Sequence, residues 1–222
     1  MSREPATAEM VEIEVHFVRA TKAQATEIVL PDFRFVPPEA KPGRHPIPFG
    51  LFAVTGIFTP QQTVETLSRL KKAGAAISSM QRTATLSGHR AQVQNVREFR
   101  YPSKYSEPNN DGKVVPVSFR TKPVGISLEF EPKVAGDSIT LIIGANIKEL
   151  TGYSDYTAKK DEDPNTKKSD ASPVWQPNFK TREVATEVTL YSGQTVLLAE
   201  TEEKSEDRGH FIFITARVII TP

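Results

Sequence analysis

The chain has no cysteine. That absence excludes disulfide staples, thiol nucleophiles, and zinc or iron–sulfur sites held by thiolates. It also lacks an excess of either charge: 28 Lys and Arg stand against 27 Asp and Glu, a net charge of +1. Nucleic-acid binding, which rests on clustered basic residues, is not expected from such a balance. No stretch approaches the ~20 apolar residues of a membrane helix. Residues 1–18 contain no uninterrupted apolar run of the kind found in secretory signals. Gly-rich phosphate loops are missing too, with neither a GxGxxG nor a GxxxxGKS/T pattern. Histidine is scarce, and His16, His45, His89 and His210 are far apart in sequence. They read as surface side chains rather than a metal set, so no metal, no cofactor and no enzymatic activity are expected.

What the sequence does have is proline and short apolar runs. There are 17 Pro against 12 Gly in 222 residues. Six of the prolines fall between Pro31 and Pro48, which makes residues 31–50 an extended surface loop. Val11, Ile13, Val15 and Phe17 alternate with Glu12, Glu14 and His16, the period of a half-buried strand. Residues 21–28 suit a short helical turn, and 51–58 a strand. The clearest helix follows: Thr59 as N-cap, Pro60 in the first turn, Gln62 completing a capping box, and Gly74 closing the end. Its apolar stripe reads as Val64, Leu67 and Leu70. Strands are expected near 76–86, 90–100, 114–121, 124–134, 138–150, 182–191 and 195–201. The run 211–220 is apolar on both faces, as in a strand covered on both sides. Residues 1–9 are expected to be disordered, 10–222 to form a single domain, and 157–173, charged and without a large apolar residue, to be a flexible loop. The fold class is therefore mainly β, with one amphipathic α-helix that must cover a sheet.

Few residues stand out as chemical candidates. Glu12 and Glu14 share a strand face and read as its wet side. The run from Glu200 to Asp207 lacks the ligand spacing of a calcium loop and reads as a charged hairpin tip. Trp175, with Tyr153 and Tyr156 across the charged excursion, could form a contact surface for a glycan or peptide, or could pin the base of the loop. The packing role ranks ahead.

The order of segments resembles the secretin core domain of type II and III secretion and type IV pilus machines, from about Val11 to Ile220. Three stretches carry the likeness: PVSFRTKPVGISLEFEPKVAGDSITLIIGANIKELTGY, FKTREVATEVTLYSGQTVLLAE and FIFITARVII. They are similar to the family patterns "T..VG..L.V.P.V....I.L.I...I....GY", "TR.V.T.V.V..GQTVVLGG" and "L.I.VTPRII". The sequence departs where the family carries an apolar membrane lip, for here only TEEKSEDRGH intervenes. The ring-building modules that precede the core in long secretins are not seen either. The resemblance implies a secretin-core-like or immunoglobulin-like sandwich. It implies a structural component of a type IV pilus or secretion-type assembly that is not itself pore-forming. Partners would be other pilus or secretion-system proteins, with a homo-oligomer left open, and neither nucleic acid nor direct membrane insertion is expected. The location would be periplasmic, outer-membrane-associated or extracellular, an export signal having been removed. The alternative is an adhesive or ligand-binding sandwich. An oligomer that closes a barrel from four strands per subunit, and so keeps a pore, is a further reading.

Overall fold

The computed structural model describes residues 9–21, 23–24, 52–78, 80–107, 109, 113–155, 174–200 and 208–219. The expected disorder at 1–8, the proline-rich loop up to residue 51, the excursion at 156–173 and the hairpin tip at 201–207 lie outside the described residues.

The N-terminal alternation forms strand β1 (Met10–Thr21). Val11, Ile13 and Val15 are fully buried on one face. After it come β2 (Phe52–Phe58), helix α1 (Pro60–Lys72), β3 (Ala76–Ile77) and β4 (Gln81–Leu86). The chain closes with β9 (Thr195–Glu200) and β10 (Arg208–Ile219). These strands make one sheet of order β2-β9-β10-β1-β3, with β4 also pairing β1. β1 runs antiparallel to β10 along its length, Met10 opposite Ile219 and Thr21 opposite Arg208. Its other side takes β3 and β4 in succession. β10 is covered on both faces over its apolar run, as that run predicts: Phe211 and Phe213 are buried, and so are Ile212, Ile214 and Ala216.

Helix α1 covers one face of this sheet. Thr59 Oγ1 accepts from the Gln62 amide at 3.2 Å, and Gln62 Oε1 accepts from the Thr59 amide at 2.9 Å, so the capping box is complete. At the other end the Ala75 amide reaches the Leu70 carbonyl and the Gly74 amide reaches Lys71, a Schellman closure around Gly74 at φ +81°. Leu70 and Leu67 pack on Val18, Ala20, Phe58, Leu197, Phe211 and Phe213. The buried stripe is Thr63, Thr66, Leu67 and Leu70, rotated from the expected one, and Val64 stands 69% exposed. Thr63 can be buried because its hydroxyl donates to the Thr59 carbonyl at 2.9 Å.

The remaining strands are long: β5 (Ala91–Tyr105), β6 (Pro116–Ala135), β7 (Ser138–Asp155) and β8 (Trp175–Tyr191), in that order in a second sheet. β6 unites two segments that the sequence separates at Pro123. Proline costs a ladder donor but its φ suits extended backbone, so the strand runs through it.

The chain divides into two compact units. The first holds the residues up to Val93, Leu128–Ala145, and those from Glu183 onward; the second holds Gln94–Ser127 and Asn146–Arg182. In the first unit, β6, β7 and β8 bury Leu128, Phe130, Ile139, Leu141, Ile143 and Leu190. The face of the β1 sheet away from α1 buries Ile13, Val15, Val196, Leu198, Ile212 and Ile214. Two apolar faces within one compact unit, both shut off from water, close on each other as a sandwich.

Candidate functional site

Residues read from sequence as a wet strand face form a cross-strand network in the first unit. Glu14 lies opposite Arg82 of β4, and Glu12 opposite Arg217 of β10. Arg82 donates from Nη2 to Glu14 Oε2 at 2.8 Å, and His16 Nε2 donates to Glu14 Oε1 at 3.0 Å. Glu12 sits 3.7 Å from Arg82 and 3.9 Å from Arg217. Burial pushes the Glu14 carboxyl up, but its bonds to His16 and Arg82 outweigh that and hold it below the usual carboxylate range. His16 is thus half-buried and paired rather than a surface side chain. Among the described residues, no three His, Asp or Glu side chains gather where they could hold a metal ion.

The second unit is built differently. β5 pairs only with β6, and β8 only with β7, so the outer edges of β5 and β8 carry no ladder partner among the described residues. Both edge strands are long, with 15 and 17 residues. Unpaired edges of that length are templates for another strand. Apolar side chains are also left outside: Val96, Val115, Val117 and Phe119 are exposed. Gly125 takes φ +138°, and a Cβ there would collide with the Asn95 carbonyl and lie 2.9 Å from Val96 Cα. β6 therefore presses its backbone on β5 at a point only glycine permits, which explains the Gly in the TKPVGISLEF stretch.

Aromatic side chains gather in this unit, and sequence reasoning missed most of them. Phe99 and Tyr101 of β5 meet Phe179 of β8 with ring centroids 5.9 and 5.5 Å apart. Lys122 lies 4.7 Å from the Phe179 centroid, and Arg100 4.5 Å from that of Phe119. The one local signal was the alternation of Phe99, Tyr101, Ser103 and Tyr105 on one strand face.

Trp175 and Tyr153 are each about half exposed. The Tyr105 hydroxyl donates to the Trp175 carbonyl at 3.0 Å. Near Tyr153, Thr151 Oγ1 donates to the Asn178 carbonyl and the Asn178 amide donates to Ser154 Oγ, tying the end of β7 to the start of β8. Tyr156 lies outside the described residues. Deeper in the unit, Arg182 is 9% exposed and donates to Glu149 at 2.9 Å, an ion pair between β8 and β7. No helix among the described residues is long and apolar enough to cross a membrane, a finding that does not bear on strands.

No curated protein sequence matches the chain. Among solved structures, it is similar to the type IV competence pilus secretin PilQ of V. cholerae. That match has 12% identity and a TM-score of 0.42, and covers 97% of this chain and 62% of that one. It is similar to the type II secretion system outer membrane complex of Klebsiella pneumoniae with 15% identity and a TM-score of 0.41, covering 98% and 41%. The InvG secretin domain β-barrel of the Salmonella SPI-1 injectisome matches with 12% identity and a TM-score of 0.42, covering 98% and 65%. The chain thus spans 41–65% of the length of these three proteins. The family assignment rests on a different finding: the family model for Secretin, described as a bacterial type II and III secretion system protein, matches residues 70–208. That match covers α1's last residues, all four long strands and the first residue of β10, well over half of the chain, and the chain belongs to the Secretin family.

Proposed function

We propose that the chain is a non-enzymatic structural component of a type IV pilus or secretion-type assembly in the cell envelope, and that it joins other copies edge to edge through the β5–β8 sheet. The observation that carries this reading is the pair of long edges, β5 and β8, without ladder partners among the described residues, in a member of the Secretin family. Successive strands joined by hairpins alternate in direction, so β8 of one copy would run antiparallel to β5 of the next. Closure of many such sheets removes every exposed edge. The chain from residue 10 onward then acts as one domain, because each of the four long strands contributes residues to both units.

Pore formation in a bilayer is not part of the proposal. The segment that links β9 to the apolar part of β10 is TEEKSEDRGH, which cannot supply the outward apolar band that a membrane-spanning strand needs. The expected outcomes are a concentration-dependent oligomer in analytical ultracentrifugation, recovery of envelope-assembly proteins in pull-downs, and no conductance in planar bilayers. Monomers at every concentration would remove the edge-joining claim, and stable conductance steps would remove the non-pore claim.

A second reading follows from the exposure of Tyr153 and Trp175, a ligand contact for a glycan or peptide at the cell surface. Trp175→Ala should abolish a signal on a glycan or peptide array if this reading holds, and an array with no signal for the native chain ends it.

A further inference from the structure

The edges of the β5–β8 sheet are not far apart. Neighbouring strands lie about 4.8 Å apart, so the outer strands of a flat sheet of this order would be separated by roughly 14 Å. Yet Phe179 of β8 packs on Phe99 and Tyr101 of β5, at 5.9 and 5.5 Å between centroids, and Phe99 stacks on Tyr101 at 6.3 Å. The Tyr105 hydroxyl reaches a backbone carbonyl of β8, that of Trp175, at 3.0 Å. A tyrosine cannot span two intervening strands to a main-chain oxygen unless the sheet curls until its edges converge. They converge without pairing, for no β5–β8 ladder is present among the described residues. Side chains, not main-chain bonds, hold the edges together. Lys122, over the Phe179 ring, adds a cation to the same cluster.

We propose that Phe99, Tyr101 and Phe179, with the Tyr105 bond to the Trp175 carbonyl, form a latch that holds the two open edges of this sheet against each other in the free chain, and that the latch parts when a second copy pairs with either edge. The proposal rests on the edge-to-edge reading above and gives it a control. An edge hidden against its own chain is a poor template, which limits premature association. The rings are only half-buried, so the latch can part without opening a sealed core. Pairing would set Phe99 and Tyr101 of one copy beside Phe179 of the next, so ring packing given up within a chain is restored between chains. The latch therefore acts on the rate of association more than on the strength of the final assembly.

The native chain has no cysteine, so a Tyr101→Cys/Phe179→Cys double variant carries a unique thiol pair. Bridged by a short thiol-reactive linker and isolated as a monomer, it should stay monomeric at concentrations where the unbridged double variant assembles. Phe179→Ala should associate about tenfold faster, the scale set by removing the packing of one ring on two others. In its monomer, the amides of β5 and β8 should exchange faster with solvent than in the native monomer. A bridged chain that assembles as fast as the unbridged one overturns the latch, and so does unchanged exchange in Phe179→Ala. If no variant assembles at any concentration, the edge-joining reading fails, and the exchange comparison still decides the latch.

Discussion

In the first unit Leu128, Phe130, Ile139, Leu141, Ile143 and Leu190 are sealed from water, while elsewhere on the same strands, in the second unit, Val117, Phe119, Tyr153 and Trp175 stand open to it. The first region also carries the helix, the sandwich core and a strand, β10, that is buried on both faces. The second carries edges without a ladder partner among the described residues, an aromatic cluster and a glycine at a backbone collision point. Stability and availability are thus separated along single strands. Buried apolar packing in one stretch holds the fold, and the other stretch keeps apolar surface and edge main chain in reserve.

Substitutions can test that division. The heaviest loss should come from the sealed side: Phe130→Ala removes a fully buried ring and should cost about 3–5 kcal/mol. The matched change on the open side, Val117→Ala, should cost less than about 0.5 kcal/mol, because that side chain is 59% exposed. Chemical denaturation of both variants checks the pair, and equal losses would dissolve the distinction. Gly125→Ala should come next, at about 1–3 kcal/mol, since the new Cβ meets the β5 main chain and φ is +138°. Amide exchange should place its damage at Asn95 and Val96 rather than in the sandwich. Thr59→Ala should weaken the first unit by about 1 kcal/mol through the lost cap, leaving association by the second unit unchanged.

A weaker dependence is expected on pH. The Glu14 carboxyl is held below its ordinary range in the folded chain, so its contribution is full above the ordinary carboxylate value and is lost as pH falls through the depressed one. Glu14→Gln should therefore lower stability at neutral pH by up to about 1 kcal/mol after solvent screening, and should leave it unchanged in strong acid. Thermal melts across the acid range check this, and a loss that persists in strong acid would mean that charge pairing is not its origin.

Much of the first region was legible in the sequence because its signals are local. Thr59, Pro60 and Gln62 announce the helix start, Gly74 its end, and FIFITARVII a strand covered on both sides. Where the reading slipped, the cause was a non-local competitor. Val64 yields the buried stripe to Thr63 and Thr66, whose position depends on how the helix meets the sheet. Glu14 finds Arg82 through strand register, which single-strand periodicity does not carry. The second region was less legible. Phe99 and Phe179 are 80 positions apart and meet only because the sheet curls, and nothing in either strand's alternation encodes that curl. Trp175 and Tyr153 stand out in the sequence as aromatics flanking a charged excursion, whereas Phe99, Tyr101 and Phe179 carry no such local mark.

Edge-to-edge joining is most directly tested by mixing two single-cysteine chains, Arg97→Cys on β5 and Thr181→Cys on β8, under conditions of association with a short thiol-reactive linker. The predicted result is a covalent dimer that contains one chain of each kind, far in excess of products from either chain alone. Products of β5 with β5 or β8 with β8 at equal yield, or no cross-linked product, would contradict the account.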